Sequence, residues 1–196
     1  MTGPKKSVDR RALIVEAAGK SFSMFGYKAT TMEVVSKIAA VGKGTIYTFF
    51  ATKEELFGEI IGQLTKELRE LAERTIDHER PFFDNLSAVL HELLLFRDKH
   101  ELMVKLSQEV RDIGTPMAKD GIAKLEQAIT AFIQQEVVLA VEKGEIRSSN
   151  PKLTAFVMLK LYVALNSEWS KHQEPLTRKE VAGYFNELMR DGMSVR

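Results

Sequence analysis

The amino-acid sequence predicts an all-α protein, with a small N-terminal module of three helices followed by a larger helical region. Three observations carry this expectation. Apolar residues recur at three- and four-residue spacing through nearly all of the 196 residues, and no run of strand-like alternation interrupts them. Thr-x-x-Glu signatures of helix N-termini occur at Thr30–Glu33, Thr52–Glu55 and Thr177–Glu180. Hydrophobic content of 44%, charged content of 28% and only 5 Pro are ordinary for a folded globular chain.

The elements follow in order. Leu13, Ile14, Ala17, Ala18, Ser21, Phe22 and Phe25 form an amphipathic stripe, and Gly26 is placed as its left-handed C-terminal cap. Thr30 is expected to cap a second, short helix through about Ile38, with Glu33 reaching back to complete a capping box. The spacing then resets at Ala39–Gly44, and a helix of barely two turns surrounds Lys43–Tyr47. From Thr52 to Asp77 one stripe (Leu56, Ile60, Ile61, Leu64, Leu68, Leu71, Ile76) describes a long helix, broken at Arg80–Pro81. Further helices span about Phe82–Asp98, Glu101–Arg111 and Pro116–Lys143, the last stopped by Gly144. Asn150 and Pro151 open a helix that is apolar nearly all round from Ala155 to Leu165, and Thr177 caps a final helix carrying Val181, Tyr184, Phe185, Leu188 and Met189. A division into residues 1–51 and 52–196 is expected, with no Gly/Ser-rich linker between the parts.

Charge and composition narrow the function classes. Residues 1–53 hold nine Lys and Arg against three Asp and Glu, a net of +6, whereas the remainder nets −5. That asymmetry points the N-terminal quarter at phosphate. The absence of Cys rules out disulfides, thiolate nucleophiles and Cys-ligated zinc. His78, His91, His100 and His172 form no H-E-x-x-H, the paired E-x-x-H of a di-iron bundle is missing, and "VGKGT" lacks Walker spacing. An enzyme, a metal site and a cofactor are therefore not expected. No stretch of 18 apolar residues and no signal-peptide pattern occurs, which predicts a cytoplasmic, nucleoid-associated chain with no membrane partner.

A helix, a tight turn and a second short helix are what a helix-turn-helix needs, the second helix lying in the major groove while the first crosses the backbone. A break after it lets the next helix start at the DNA surface, where Lys53 and the free amides near Thr52 can meet a phosphate. The stretch "RRALIVEAAGKSFSMFGYKATTMEVVSKIAAVGKGTIYTFFATKEEL" resembles the N-terminal domain of the TetR family of bacterial transcriptional regulators, over roughly residues 10–60. Its fixed points are Ala17–Ala18, Phe22, Gly26–Tyr27, Thr30–Thr31, Ala39, Val41, Lys43–Tyr47, Phe50 and Lys53–Leu56. The resemblance implies that Thr31 contacts phosphate, that Lys43, Gly44, Thr45 and Thr48 face bases or adjacent backbone, and that Tyr47 and Lys53 hold phosphates. The chain departs from the family pattern at Ala40, where Gly is usual in the turn, and at Gly42, where Ser is the usual cap. An Ala in a left-handed turn is expected to cost about 1 kcal/mol.

The resemblance further implies a helical C-terminal region that binds a small molecule and dimerises through its last two helices. Independently, a helix apolar on every side needs neighbours on two faces, which a symmetric interface built from Phe156, Val163, Tyr184, Phe185 and Leu188 would supply. Phe96, Met103, Leu106, Phe132, Met158, Tyr162 and Trp169 are candidates to line a cavity for a hydrophobic effector, with His91 and Arg97 as polar contacts. The sequence thus reads as a dimeric repressor that binds a palindromic double-stranded DNA operator and is released by a hydrophobic small molecule. The alternative is a nucleoid-associated or protein-responsive adapter with no effector.

Overall fold

A computed structural model describes residues 9–96, 101–169 and 173–194; of Glu101, Met103, Val104, Ser107, Arg111 and Ser167 it describes the backbone alone. The helices are α1 (Arg10–Ala29), α2 (Met32–Ile38), α3 (Lys43–Phe49), α4 (Lys53–Thr75), α5 (Phe82–Phe96), α6 (Glu101–Asp112), α7 (Pro116–Glu142), α8 (Pro151–Val163), continued by a π-helical turn over Ala164–Glu168, and α9 (Arg178–Met193). Among the described residues the only extended pairing is an isolated bridge between Ile146 and Ser194. The chain is all-α, as its periodicity predicts.

Two compact units form, one from Met1–Gln63 and His100–Ile122, the other from Leu64–Lys99 and Ala123–Arg196. The first is larger than the 1–51 segment because α6 packs along α1 and brings its apolar side chains with it. Ile14, Ala18, Phe22, Val35, Ile46, Leu56 and Leu106 are fully enclosed. Leu13 and Phe25, expected on the buried stripe, are instead 38% and 45% exposed, and Val15 is buried. Aromatic packing centres on Tyr27, whose ring stacks on Phe22 at 6.0 Å and meets the Phe57 edge at 4.9 Å. Gly121 of α7 faces the same Phe57 ring so closely that a Cβ there would lie 2.8 Å from it.

The corner between α1 and α2 corrects the expected cap. Gly26 does adopt positive φ (φ 80, ψ 176), a backbone region open only to Gly. One helical turn follows before the chain straightens, so the cap of α2 is Thr31, whose hydroxyl accepts from the Val34 amide at 3.2 Å. Thr30 is buried instead, donating to the Gly26 carbonyl at 2.8 Å and pairing with the Ser21 hydroxyl at 3.0 Å. Glu33 consequently falls one position short of a capping box and pairs with Lys37 at 2.9 Å. At α4 the Thr52 hydroxyl accepts from the Glu55 amide, while the Glu55 carboxylate reaches to the Ala51 amide at 2.7 Å.

The second unit is built around Phe82, Leu90, Val137, Met158, Phe185 and Met189. Asn85 organises the turn before α5: its amide group accepts from the Asp77 N–H at 3.0 Å and donates to the Asp77 carbonyl at 2.8 Å. Gly144 ends α7 with φ 72, as its place in the sequence predicts. Asn150 caps α8 and Thr177 caps α9 with both halves of its box formed. The apolar circumference of α8 resolves into a buried side (Ala155, Met158, Leu159) and an exposed one (Leu153, Phe156, Val157). Its Lys160 is held by Glu126 of α7 at 2.6 Å.

The Gly121–Phe57 contact yields a measurable expectation. Gly121→Ala should lower stability in urea unfolding by about 1–3 kcal/mol, because the methyl overpacks a ring that cannot leave the core. Pairing it with Phe57→Leu should recover part of that loss, whereas equal losses in the single and double variants would place the strain elsewhere.

Candidate nucleic-acid interface

The geometry of α2, turn and α3 is set by two buried anchors and one strained residue. Ile46 is fully enclosed and Phe50 is 4% exposed, so α3 lies with that side down. At 100° per residue the opposite face carries Gly44 and Thr48, flanked by Lys43 and Tyr47 on one side and Thr45 on the other. Lys43, Gly44 and Thr48 are exposed, Tyr47 is 47% exposed and Thr45 is half-buried. The Tyr47 ring is thus available at the surface rather than packed in the core. Thr48 donates to the Gly44 carbonyl at 3.1 Å, so its hydroxyl keeps acceptor capacity. Phe49, which the sequence reading did not single out, is also 42% exposed. Only the tertiary packing separates it from the neighbouring Phe50.

Ala40 is the left-handed residue of the turn, at φ 52. The Val41 amide then closes back on the Ser36 carbonyl at 3.1 Å. Gly42 serves as the N-cap of α3 with extended backbone (φ −64, ψ 144) and no side-chain hydrogen bond; its carbonyl accepts from the Thr45 amide at 2.9 Å, and the Lys43 and Gly44 amides receive no side-chain cap. These are the two departures from the family pattern, and both lie where the sequence located them.

Lys53, which the resemblance assigns to a phosphate, also makes contacts inside the protein. It is half-buried, and its ammonium donates to the Tyr27 carbonyl at 3.0 Å and the Thr30 carbonyl at 3.1 Å while sitting 4.1 Å from the Tyr27 ring centre. Two of its three N–H groups are used inside the protein, leaving one for a phosphate. Next to it the Tyr27 hydroxyl donates to Glu54. Burial and that carboxylate push the phenol well above its ordinary range, and the same bond holds Glu54 below the usual carboxylate range. Arg11 of α1 is likewise engaged, pairing with Glu59 at 3.0 Å and lying over the Phe50 ring. Lys28 and Lys43 are exposed, as are Arg10, Lys20 and Lys37, the last two paired with Glu16 and Glu33.

The other candidates scatter. Phe156, Tyr184 and Leu188 are exposed at 49%, 54% and 45%, and Val163 is half-buried. Phe185 corrects the expected dimer set: at 2% exposure it belongs to its own chain's core, one helical step from Tyr184 on the inward side. Among the effector candidates Met158 is buried in the second unit's core with Tyr162 packed against it, and Phe96 and Phe132 are half-buried. Leu106 is a correction, because it is fully enclosed in the first unit's core. Trp169 is 45% exposed, with its indole N–H on the Glu174 carbonyl at 3.0 Å. His91 is exposed; the Met103 side chain and Arg97 lie outside the described residues. An open groove of about 650 Å³ lies on the first unit, lined by Met24, Phe25, Val34 and Ile38 and by none of the effector candidates. Among the described residues no three His, Asp or Glu side chains form a metal-binding group, and no helix is long and apolar enough to cross a membrane.

A basic helix-turn-helix with its second helix exposed defines the class of a DNA-binding regulator, and comparison with known proteins agrees. Residues 14–60 match the model of bacterial regulatory proteins of the tetR family. The chain is 46% identical over 188 residues to the uncharacterized HTH-type transcriptional regulator YhgD of Bacillus subtilis, spanning 96% of this chain and 98% of that one. It is 28% identical over 157 residues to the HTH-type transcriptional regulator UidR of Escherichia coli K12, 77% and 76% of the two chains. Reduced NemR of E. coli shares the fold with a TM-score of 0.75 at 21% identity, covering 91% of this chain and 96% of that one. SmeT, solved as a complex with triclosan, does so with a TM-score of 0.79 at 17% identity, covering 95% and 92%. The chain belongs to the TetR family of transcriptional regulators, which bind DNA as dimers and are not enzymes.

The turn supplies the second expectation. Ala40→Gly should stabilise the protein by about 0.5 kcal/mol, the relief of a left-handed Ala exceeding the added unfolded-state entropy. A melting temperature that falls on this substitution would show that φ 52 is not strained here.

Proposed function

We propose that this protein is a ligand-responsive repressor that binds a palindromic operator as a homodimer and leaves it when a hydrophobic small molecule binds. The observation that carries the DNA part is the outward row of Lys43, Gly44, Tyr47 and Thr48 on a helix pinned from behind by Ile46 and Phe50. Gly44 lets the backbone approach the groove, and Lys43, Tyr47 and the amides of Thr31 to Glu33 and of Lys43 and Gly44 donate to phosphate oxygens. Thr45 and Thr48 then lie at base edges. Residues 1–51 hold these contacts, and residues 52–196 carry the effector and dimer functions.

The dimer reading rests on α8 and α9. Phe156, Tyr184 and Leu188 leave large apolar surface in solvent on the last two helices, where a two-fold axis would bury it twice over. Two heads held this way would read half-sites about one helical turn, or a multiple, apart. The triclosan carried by SmeT, a protein of the same fold, supports an apolar aromatic effector, and the Met- and Phe-rich core of the second unit suits one.

The test is selection of bound duplexes from a random pool, followed by salt titration of the enriched sequence. Binding through about 6–10 phosphates should weaken by about 10³–10⁵ between about 50 and 200 mM salt, and a flat response would rule out the interface. Lys43→Ala and Tyr47→Ala should each cost about tenfold or more in affinity and leave the dimer intact. Phe156→Glu with Leu188→Glu should yield monomers in analytical ultracentrifugation, because apolar interface centres reject charge. Triclosan and fatty acids should raise the melting temperature and release the duplex. Tight binding with no response to either class would favour the effector-free adapter.

A further inference from the structure

We infer that Glu109 is a positioning residue for DNA binding: from α6 it holds the α1–α2 corner that aims the helix-turn-helix. The inference rests on the DNA-binding reading above. Glu109 is only 6% exposed, yet it is ionisable and 81 residues from its partner. Both of its carboxylate oxygens accept from the Lys28 backbone N–H, at 3.0 and 3.2 Å. Among the described residues no Lys or Arg lies within ion-pair distance of it. A buried carboxylate met by one amide is a costly arrangement, and an apolar side chain would fill the space more cheaply.

The local backbone explains why a carboxylate stands there. Gly26 breaks α1, and the turn that restarts at Tyr27 is closed by the Thr30 amide on the Gly26 carbonyl. The Lys28 N–H is therefore one of the open donors at the start of a new helical turn, where an anion is favoured. Gly26 also makes the space: a Cβ at that position would stand 2.5 Å from Glu109 Oε2. The positive φ and the missing side chain serve one contact.

What this contact controls is the next residue but two. The corner runs directly into Thr31, the cap of α2, and α2 leads through a three-residue turn and the Gly42 cap to α3. Lys53 and Glu54 of α4 hold the same corner through the Tyr27 and Thr30 carbonyls and the Tyr27 hydroxyl. α4 thus holds the corner at Tyr27 and Thr30, and the bond from α6 fixes Lys28 between them.

The experiment uses the full-length protein with two probes, the duplex enriched by the wild type and a random-sequence duplex of equal length. Glu109→Ala should bind the enriched duplex about tenfold or more weakly. Its affinity for the random duplex should hold or rise, since a negative charge has been removed. Glu109→Gln retains an oxygen acceptor and should restore the enriched duplex to within about threefold of wild type. An unchanged ratio of enriched to random affinity in Glu109→Ala, or an equal loss in Glu109→Gln, would overturn the inference. Should Glu109→Ala not fold, amide hydrogen exchange at Lys28 in the wild type and Glu109→Gln decides: slow exchange in the wild type is required, and solvent-like exchange refutes the contact. A wild type that binds no duplex at all refutes the DNA-binding reading and this inference with it. Normal wild-type binding beside an unprotected Lys28 amide removes this inference alone.

Discussion

The Lys53 ammonium is the interaction on which the first unit depends. It closes on the carbonyls of Tyr27 and Thr30 and lies over the Tyr27 ring, so one cation satisfies the frayed end of α1 and ties it to the start of α4. Tyr27 is held in turn by Phe22, Phe57 and Glu54, with its backbone on Lys53 and its neighbour's amide on Glu109. A corner of six residues, Gly26 to Thr31, is thereby gripped from three elements. The helix-turn-helix hangs from that corner, since α2 and α3 together span few residues and bury little: Met32, Val35, Ser36 and Ile46.

Helices of seven residues are not stable by themselves. They persist here because their apolar side chains reach a core built by longer helices, with α1, α4 and α6 supplying Phe22, Leu56, Phe57 and Leu106. The consequence for recognition is rigidity. A short helix pinned by Ile46 and Phe50 presents Lys43, Tyr47 and Thr48 in fixed relation, and in the proposed complex fixed donors lose less entropy on meeting phosphate. The strain at Ala40 is tolerated for the same reason: the Val41 amide and the buried Val35 and Ile46 on either side leave the turn no other path.

In the second unit the same logic runs at larger scale. Phe82, Leu90, Val137, Phe185 and Met189 close an apolar core, and polar side chains are spent on the connections: Asn85 on the Asp77 turn, Glu145 on the Phe82 amide, Lys143 on the His78 carbonyl. What remains outside is apolar where a lone chain would not want it, at Leu153, Phe156, Val157, Tyr184 and Leu188. That surplus on α8 and α9 is what the proposed dimer would bury.

Much of this was legible in residue order, because it depends on neighbours within a turn or two. Helical periodicity, the Gly26 and Gly144 stops, the Asn150 and Thr177 caps, the strained Ala40 and the bare Gly42 cap are local chemistry. So is the motif that places the chain in its family. What only the tertiary structure decided lies across long separations. Thr31 rather than Thr30 became the cap because Gly26, Ser21 and Lys53 drew Thr30 inward; Lys53 turned to the interior; Phe185 went to the core while Tyr184 stayed out; and Leu106 and Glu109 joined the DNA-binding unit from a helix far along the chain. A periodic pattern says that a face is buried, but which element buries it, and which polar group follows it in, is settled by packing between residues that the sequence keeps apart.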